Sequence, residues 1–155
     1  MPIPQKVIKF LDKKKVKYEI ANHRTVYTAY DKAATLKVKP NIIGKTLVLK
    51  TSGGLVIALI PGNRNLDKQK FKKVVKVKTI DFVSETVMKN KFKGFKIGAV
   101  LPFGDLFKIP AFVDGGLLKE KKIFLNTGIY EASFKVSPKV VEKLGLIRGN
   151  FAKTK

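Results

Sequence analysis

Residues 45–60 constrain the fold more than any other stretch. Two β-branched and apolar runs, Thr46-Leu47-Val48-Leu49 and Leu55-Val56-Ile57-Ala58-Leu59-Ile60, flank Ser52-Gly53-Gly54. Glycine accepts the positive φ that tight turns need, so this pattern predicts a β-hairpin. Gly44-Lys45-Thr46, just ahead of it, looks like the end of a phosphate-binding loop, but its spacing excludes that reading. Such a loop needs a glycine five residues before Gly44, where Lys39 stands with Pro40 behind it. It must also open a helix, whose first N–H groups hold phosphate, and here Lys45 leads into a strand.

The flanking segments predict helices at the ends and between groups of strands. Pro4 starts a helix with Val7, Ile8 and Leu11 on its apolar stripe, ended by Lys13-Lys14-Lys15 at the negative end of the helix dipole. Tyr18 and Ile20 alternate as a short strand. Thr28 to Asp31 forms a capping box that opens a helix through about Leu36. A helix is expected from Leu66 to Val75 with Phe71, Val74 and Val75 inward, and a short one capped by Ser84 through Lys89. Short strands are expected at 97–101, 109–113, 123–125 and 133–136. Ser137-Pro138 reads as the start of a last helix, with Val140, Val141 and Leu144 inward, Gly145 just past its end and a frayed tail from Phe151 to Lys155. The fold class is therefore α+β, with a mixed, largely antiparallel sheet. At 155 residues the chain is expected to form a single domain spanning 1–155.

The charge narrows the function. A formal net charge of +22 expects a polyanion as partner, nucleic acid first. Only Arg24, Arg64 and Arg148 are arginines, and lysine lacks the planar fork that reads base edges. The charge thus points to phosphate backbone contacts rather than base readout. A lysine-rich surface set by compositional bias is the competing explanation. No apolar run approaches the ~20 residues of a membrane helix, and the first residues lack a signal-peptide core. The absence of cysteine excludes disulfides and thiolate chemistry and fits a cytoplasmic setting. One histidine, His23, leaves no basis for a multi-histidine metal site or a Ser-His-Asp triad.

A second glycine-containing stretch, Gly98-Ala99-Val100-Leu101-Pro102-Phe103-Gly104, offers a turn whose backbone can approach a ligand and stabilise an oxyanion. On its own it reads equally as a link between two strands. The ordered set is more specific: His23, the Thr28 box, Gly44-Lys45-Thr46, "ALIPGNRNLD", the Gly-x-x-x-Pro turn of Gly98 to Pro102, "IPAFVD" and Asn126-Thr127-Gly128. Along essentially the whole chain it resembles the YbaK/prolyl-tRNA synthetase editing-domain family.

That resemblance implies a barrel-like mixed sheet with flanking helices and an aminoacyl-tRNA deacylase of the free-standing, trans-editing kind. Its substrate would be a mischarged tRNA, such as tRNA-Pro carrying alanine or cysteine, with a synthetase as an optional partner. In this reading Lys45 holds the aminoacyl-adenosine end, and the backbone of Gly98, Ala99, Val100, Leu101 and Pro102 grips the amino acid. His23, Tyr27, Thr28, Gly104, Asp114, Asn126, Thr127 and Gly128 are candidates for the pocket wall. His23, Thr28 and Asp114 also have plain structural readings, as a loop histidine, a helix cap and a turn former. The resemblance implies no cofactor, metal or ATP, and water activation by the substrate's own ribose 2′-OH. Some members carry an acidic residue where Ser133 aligns here, which leaves the amino-acid specificity open. The rival is a non-catalytic basic module on the same fold that binds nucleic acid through its lysines.

Overall fold

The computed structural model describes residues 2–155. The chain runs through α1 (Gln5–Lys13), β1 (Glu19–Asn22), α2 (Ala29–Leu36), β2 (Gly44–Thr51), β3 (Gly54–Pro61) and β4 (Arg64–Leu66). It continues with α3 (Lys68–Val75), β5 (Ile80–Phe82), α4 (Glu85–Lys91), α5 (Gly104–Phe107), β6 (Ala111–Asp114) and α6 (Gly115–Leu118). Four strands complete it: β7 (Ile123–Asn126), β8 (Ala132–Val136), β9 (Leu146–Gly149) and β10 (Ala152–Thr154).

The expected hairpin is β2–β3, paired antiparallel from Gly44↔Pro61 to Thr51↔Gly54. The Thr51 hydroxyl closes its turn: Oγ1 accepts from the Gly53 N–H at 3.0 Å and donates to the Gly54 carbonyl at 2.7 Å. Around the hairpin grows a five-stranded sheet in the order β5-β2-β3-β6-β9, with β3–β6 and β6–β9 parallel. A three-stranded antiparallel sheet, β1-β8-β7, faces it. One parallel bridge, Ile43↔Phe124, stitches the two sheets together and gives the barrel-like curl without closing it.

The unbroken apolar run of β3 follows from burial on both faces. Ile57 and Leu59 face the main core with Leu125 and Phe134, and α1 covers this core with Val7 and Leu11. Val56, Ala58 and Ile60 face a second core with Phe71, Phe112 and Phe151. Each such fully buried side chain contributes ~2 kcal/mol relative to exposure. No helix among the described residues is long and apolar enough to cross a membrane.

Several local expectations shift. Residues 97–101 form no strand. Gly98 sits at φ +87°, and the Ala99 N–H closes a turn onto the Lys96 carbonyl at 3.0 Å. The expected 66–75 helix begins two residues later, because Leu66 belongs to β4 and Asp67 is the cap, its carboxylate accepting from the Lys70 N–H. The C-terminal helix is only a 3-10 turn at Pro138–Val140. The chain then reverses at Gly145 and enters β9, which lies parallel to β6. The tail is not frayed: β10 pairs with β4, and Phe151 is fully buried with its ring 4.6 Å from that of Phe71. Local pattern misses both strands because partners nearly a hundred residues away in the chain fix them.

Asp114 anchors this tail. Its Oδ1 accepts from the Phe151 and Ala152 N–H groups, both at 2.9 Å, and its Oδ2 accepts from Gly116 at 2.9 Å. Asp114→Ala strands three backbone donors near a buried Phe151. We expect a loss on the order of 3 kcal/mol in urea unfolding, with Asp114→Asn recovering part of it through the remaining acceptor oxygen. An unchanged unfolding midpoint would show that water replaces the carboxylate without penalty.

Candidate active site

A cleft of about 410 Å³ opens where the N-terminus of α2, the start of β2, the end of β7 and the 97–99 turn converge. That size suits a small ligand. Gly62 permits the convergence: a Cβ there would lie 2.8 Å from the Ala29 Cβ and 2.9 Å from the Pro40 carbonyl. Of the residues singled out in the sequence, Lys45, Tyr27, Thr28, Gly98, Ala99 and Asn126 line this cleft.

Lys45 enters from β2. Its Nζ donates to the Arg64 carbonyl at 2.8 Å, which holds the ammonium at the cleft wall. Partial burial lowers its pKa, and the Lys155 ammonium adds to the shift. Neither cation has a carboxylate partner within ion-pair distance. An anion or a polar oxygen entering the cleft would therefore meet uncompensated positive charge. Thr46 Oγ1, on the same strand, is buried and has no hydrogen-bond partner within the protein.

The 97–99 turn is braced from behind. Gly128 donates to the Ala99 carbonyl at 2.8 Å and accepts from the Lys96 N–H at 2.9 Å. The Tyr130 hydroxyl donates to the Ile97 carbonyl, and the Tyr130 ring stands edge-on to Tyr27 at 4.8 Å. The Ala99 N–H is itself spent on the turn. Tyr27 and Tyr30 stay exposed at the mouth, with the Lys155 ammonium 4.3 Å from the centre of the Tyr30 ring.

The remaining candidates lie outside the cleft. Val100 and Leu101 are in the main core, and Pro102 and Gly104 are buried behind it. Thr127 is fully buried, its hydroxyl bonded to the Ala132 carbonyl at 2.9 Å. Asp114 serves the tail. His23 bonds Ser133 Oγ through Nε2 at 3.0 Å and the Arg24 carbonyl through Nδ1 at 2.8 Å. A carbonyl only accepts, so Nδ1 carries the proton and Nε2 takes one from the serine. Burial lowers the His23 pKa, which keeps this neutral arrangement. Ser133 is thus satisfied as a core partner of His23.

Sequence reasoning missed Lys32. It is only 9% exposed, lies in the cleft, and donates from Nζ to Asn126 Oδ1 at 2.8 Å. Asn126 is fixed in turn by its Nδ2, which donates to the Val100 carbonyl at 2.9 Å. Burial brings the Lys32 pKa down to about 8. The signal was available: Lys32 occupies the inward lane of α2 with Ala29, Ala33 and Leu36, where an apolar residue belongs.

The family model for the aminoacyl-tRNA editing domain matches residues 23–144, which span every element of this cleft except Lys155. The chain belongs to the aminoacyl-tRNA editing domain family. As an editing domain it takes aminoacyl-tRNA as its substrate class, and a deacylase-type role follows. Comparison with curated proteins gives no significant match. Among solved structures, hypothetical protein APE2540 superposes with a TM-score of 0.85 at 24% identity, over 96% of this chain and 99% of that one. A proposed trans-editing enzyme for prolyl tRNA synthetase gives a TM-score of 0.85 at 23% identity, over 99% of this chain and 98% of that one. A scaffold protein used for epitope backbone grafting gives 0.86 at 22% identity, over 100% of this chain and 99% of that one. At such identities these likenesses establish the editing-domain fold.

A second hollow, of about 470 Å³, adjoins the first and shares Lys45 with it. Lys68 and Lys153 line it together with Phe82, an exposed side chain over which the Lys68 ammonium lies at 5.0 Å. Lys45 thus stands on the wall between an enclosed cleft and a basic groove that leads along the start of α3.

Proposed function

We propose that this protein is a trans-editing aminoacyl-tRNA deacylase that hydrolyses the ester between a wrong amino acid and the 3′-terminal adenosine of tRNA. One observation carries the reading: the cleft unites a carboxylate-free Lys45, the braced Gly98–Ala99 turn and the exposed Tyr27 and Tyr30 in one space. Lys45 would hold the aminoacyl-adenosine end through the terminal phosphate or the oxygens near the ester. The tyrosines at the mouth offer rings on which a base can stack. The 97–99 turn would face the amino-acid end. Its rigidity matters because a preorganised contact stabilises the transition state without reorganisation at the moment of reaction.

A small wrong amino acid on tRNA-Pro, alanine or cysteine, is the proposed substrate. The end-to-end likeness to a proposed trans-editing enzyme for prolyl tRNA synthetase supports it. The non-catalytic alternative draws on the +22 charge alone and leaves the carboxylate-free cleft without a use.

Hydrolysis should need neither ATP nor a metal ion. No group of three or more His, Cys, Asp or Glu side chains is placed to hold a metal among the described residues. We expect Ala-tRNA-Pro or Cys-tRNA-Pro to be deacylated at the same rate with EDTA and without nucleotide. Strict dependence on either would overturn the reaction class.

A further inference from the structure

We propose that Lys32 is the proton-transfer group of the deacylase, taking a proton from the attacking water and returning it to the leaving ribose oxygen. This rests on the deacylase reading above. The geometry carries it. Lys32 reaches the cleft from α2, is nine-tenths buried, and has Asn126 Oδ1 as its one hydrogen-bond partner. No carboxylate pairs with it. Asn126 is locked onto the Val100 carbonyl beside the 97–99 turn, so it sets the direction of the lysine Nζ. A base oriented by a second group, within reach of the space that the reacting ester would occupy, is the arrangement proton transfer requires. An ammonium kept only for charge would have little reason to be buried without a counter-ion, since desolvation works against it.

The step balances as follows. Neutral Lys32 takes a proton from water as the water oxygen bonds to the ester carbonyl carbon, giving a tetrahedral oxyanion and a lysine ammonium. The bond from that carbon to the ribose oxygen then breaks. The ammonium gives its proton to the departing oxygen, leaving a free amino acid, a tRNA hydroxyl and neutral lysine.

Burial places the Lys32 pKa at about 8, within the range where a lysine can serve as a base. The other titratable groups around it are Lys45 and Lys155, the phenols of Tyr27, Tyr30 and Tyr130, and His23, whose own pKa responds to the Lys32 charge. His23 is neutral over the relevant range, and Lys45 carries the contact to Arg64 instead. The neutral base accumulates as pH rises, so kcat should climb through about pH 8 and then level.

The test compares wild type, Lys32→Arg, Lys32→Gln and Lys45→Ala by single-turnover deacylation from pH 6 to 9, with uncatalysed hydrolysis subtracted. Arginine keeps the charge but cannot lose its proton. We expect Lys32→Arg and Lys32→Gln each to lose on the order of a hundredfold in rate and to lose the limb near pH 8. Binding of uncharged tRNA should remain near wild type. Wild-type activity in Lys32→Arg, or an unchanged pH profile in Lys32→Gln, overturns the proposal. Failure of the deacylase reading looks different, since wild type would then be as inert as Lys45→Ala. Circular dichroism of each variant separates loss of chemistry from loss of fold; if both Lys32 variants unfold, Asn126→Asp, which retains the acceptor oxygen, must shift the limb upward in pH, and an unshifted limb overturns the proposal.

Discussion

Lys45→Ala slows deacylation about 100-fold or more while the fold persists. The magnitude follows from removing one preorganised polar contact at the reacting end of a substrate. The fold persists because Lys45 contributes a single hydrogen bond, to the Arg64 carbonyl, at the partly open start of β2. That carbonyl lies on β4, whose residue Arg64 is exposed, so water can replace the ammonium. Lys50 is the internal control: it sits on the same strand, at the far end and exposed, and Lys50→Ala should be nearly silent. Single-turnover rates of the two variants against one mischarged tRNA decide the matter. A Lys45→Ala rate near wild type would reduce Lys45 to a solvated strand lysine.

The second large effect is on binding. If the +22 charge serves tRNA, affinity falls on the order of a thousandfold between 50 and 200 mM salt for about six phosphate contacts, each of which releases counterion. The catalytic step at saturating tRNA should change far less, because Lys45 and Lys32 are partly or largely withdrawn from screening solvent. α3 is the natural place for the contacts. Its capped start adjoins the hollow that shares Lys45, and Lys70, Lys72 and Lys73 lie along it while Phe71 anchors it to the second core. Neutralising those three lysines should weaken binding to cognate and unrelated tRNAs alike, since lysine reads the backbone and not the sequence. A flat salt response would make the positive charge compositional.

What the sequence revealed, and what it hid, divides along the reach of the forces involved. The β2–β3 hairpin, the Thr28 cap and the Ser84 cap are local devices, and each stands where residue chemistry placed it. The Thr28 cap also puts the N-terminus of α2 at the cleft mouth. By contrast, β9 and β10 exist because β6 and β4 offer free edges, and Asp114 reaches across to hold them. No window of sequence contains those partners. The same limit applies to the site. Glycine at 98 and lysine at 45 were legible from spacing and turn chemistry. Lys32 was legible only as an anomaly in an apolar lane, and Tyr130 not at all, because its hydroxyl acts on a carbonyl 33 residues away. Of the Gly98 to Pro102 stretch, the cleft takes Gly98 and Ala99, while Val100 and Leu101 turn into the core.

The central claim is that this cleft hydrolyses aminoacyl esters on tRNA, and a panel of charged tRNAs tests it most directly. Wild-type protein in excess is mixed with tRNA-Pro charged with alanine, cysteine, serine or proline, and with one unrelated cognate aminoacyl-tRNA. Release of free amino acid is followed in a single turnover. The predicted result is rapid release of alanine or cysteine from tRNA-Pro, with prolyl-tRNA and the unrelated cognate pair spared. Tight, salt-sensitive binding of every tRNA with no ester hydrolysed in any of them would contradict the claim and leave a basic binding module on an editing-domain fold.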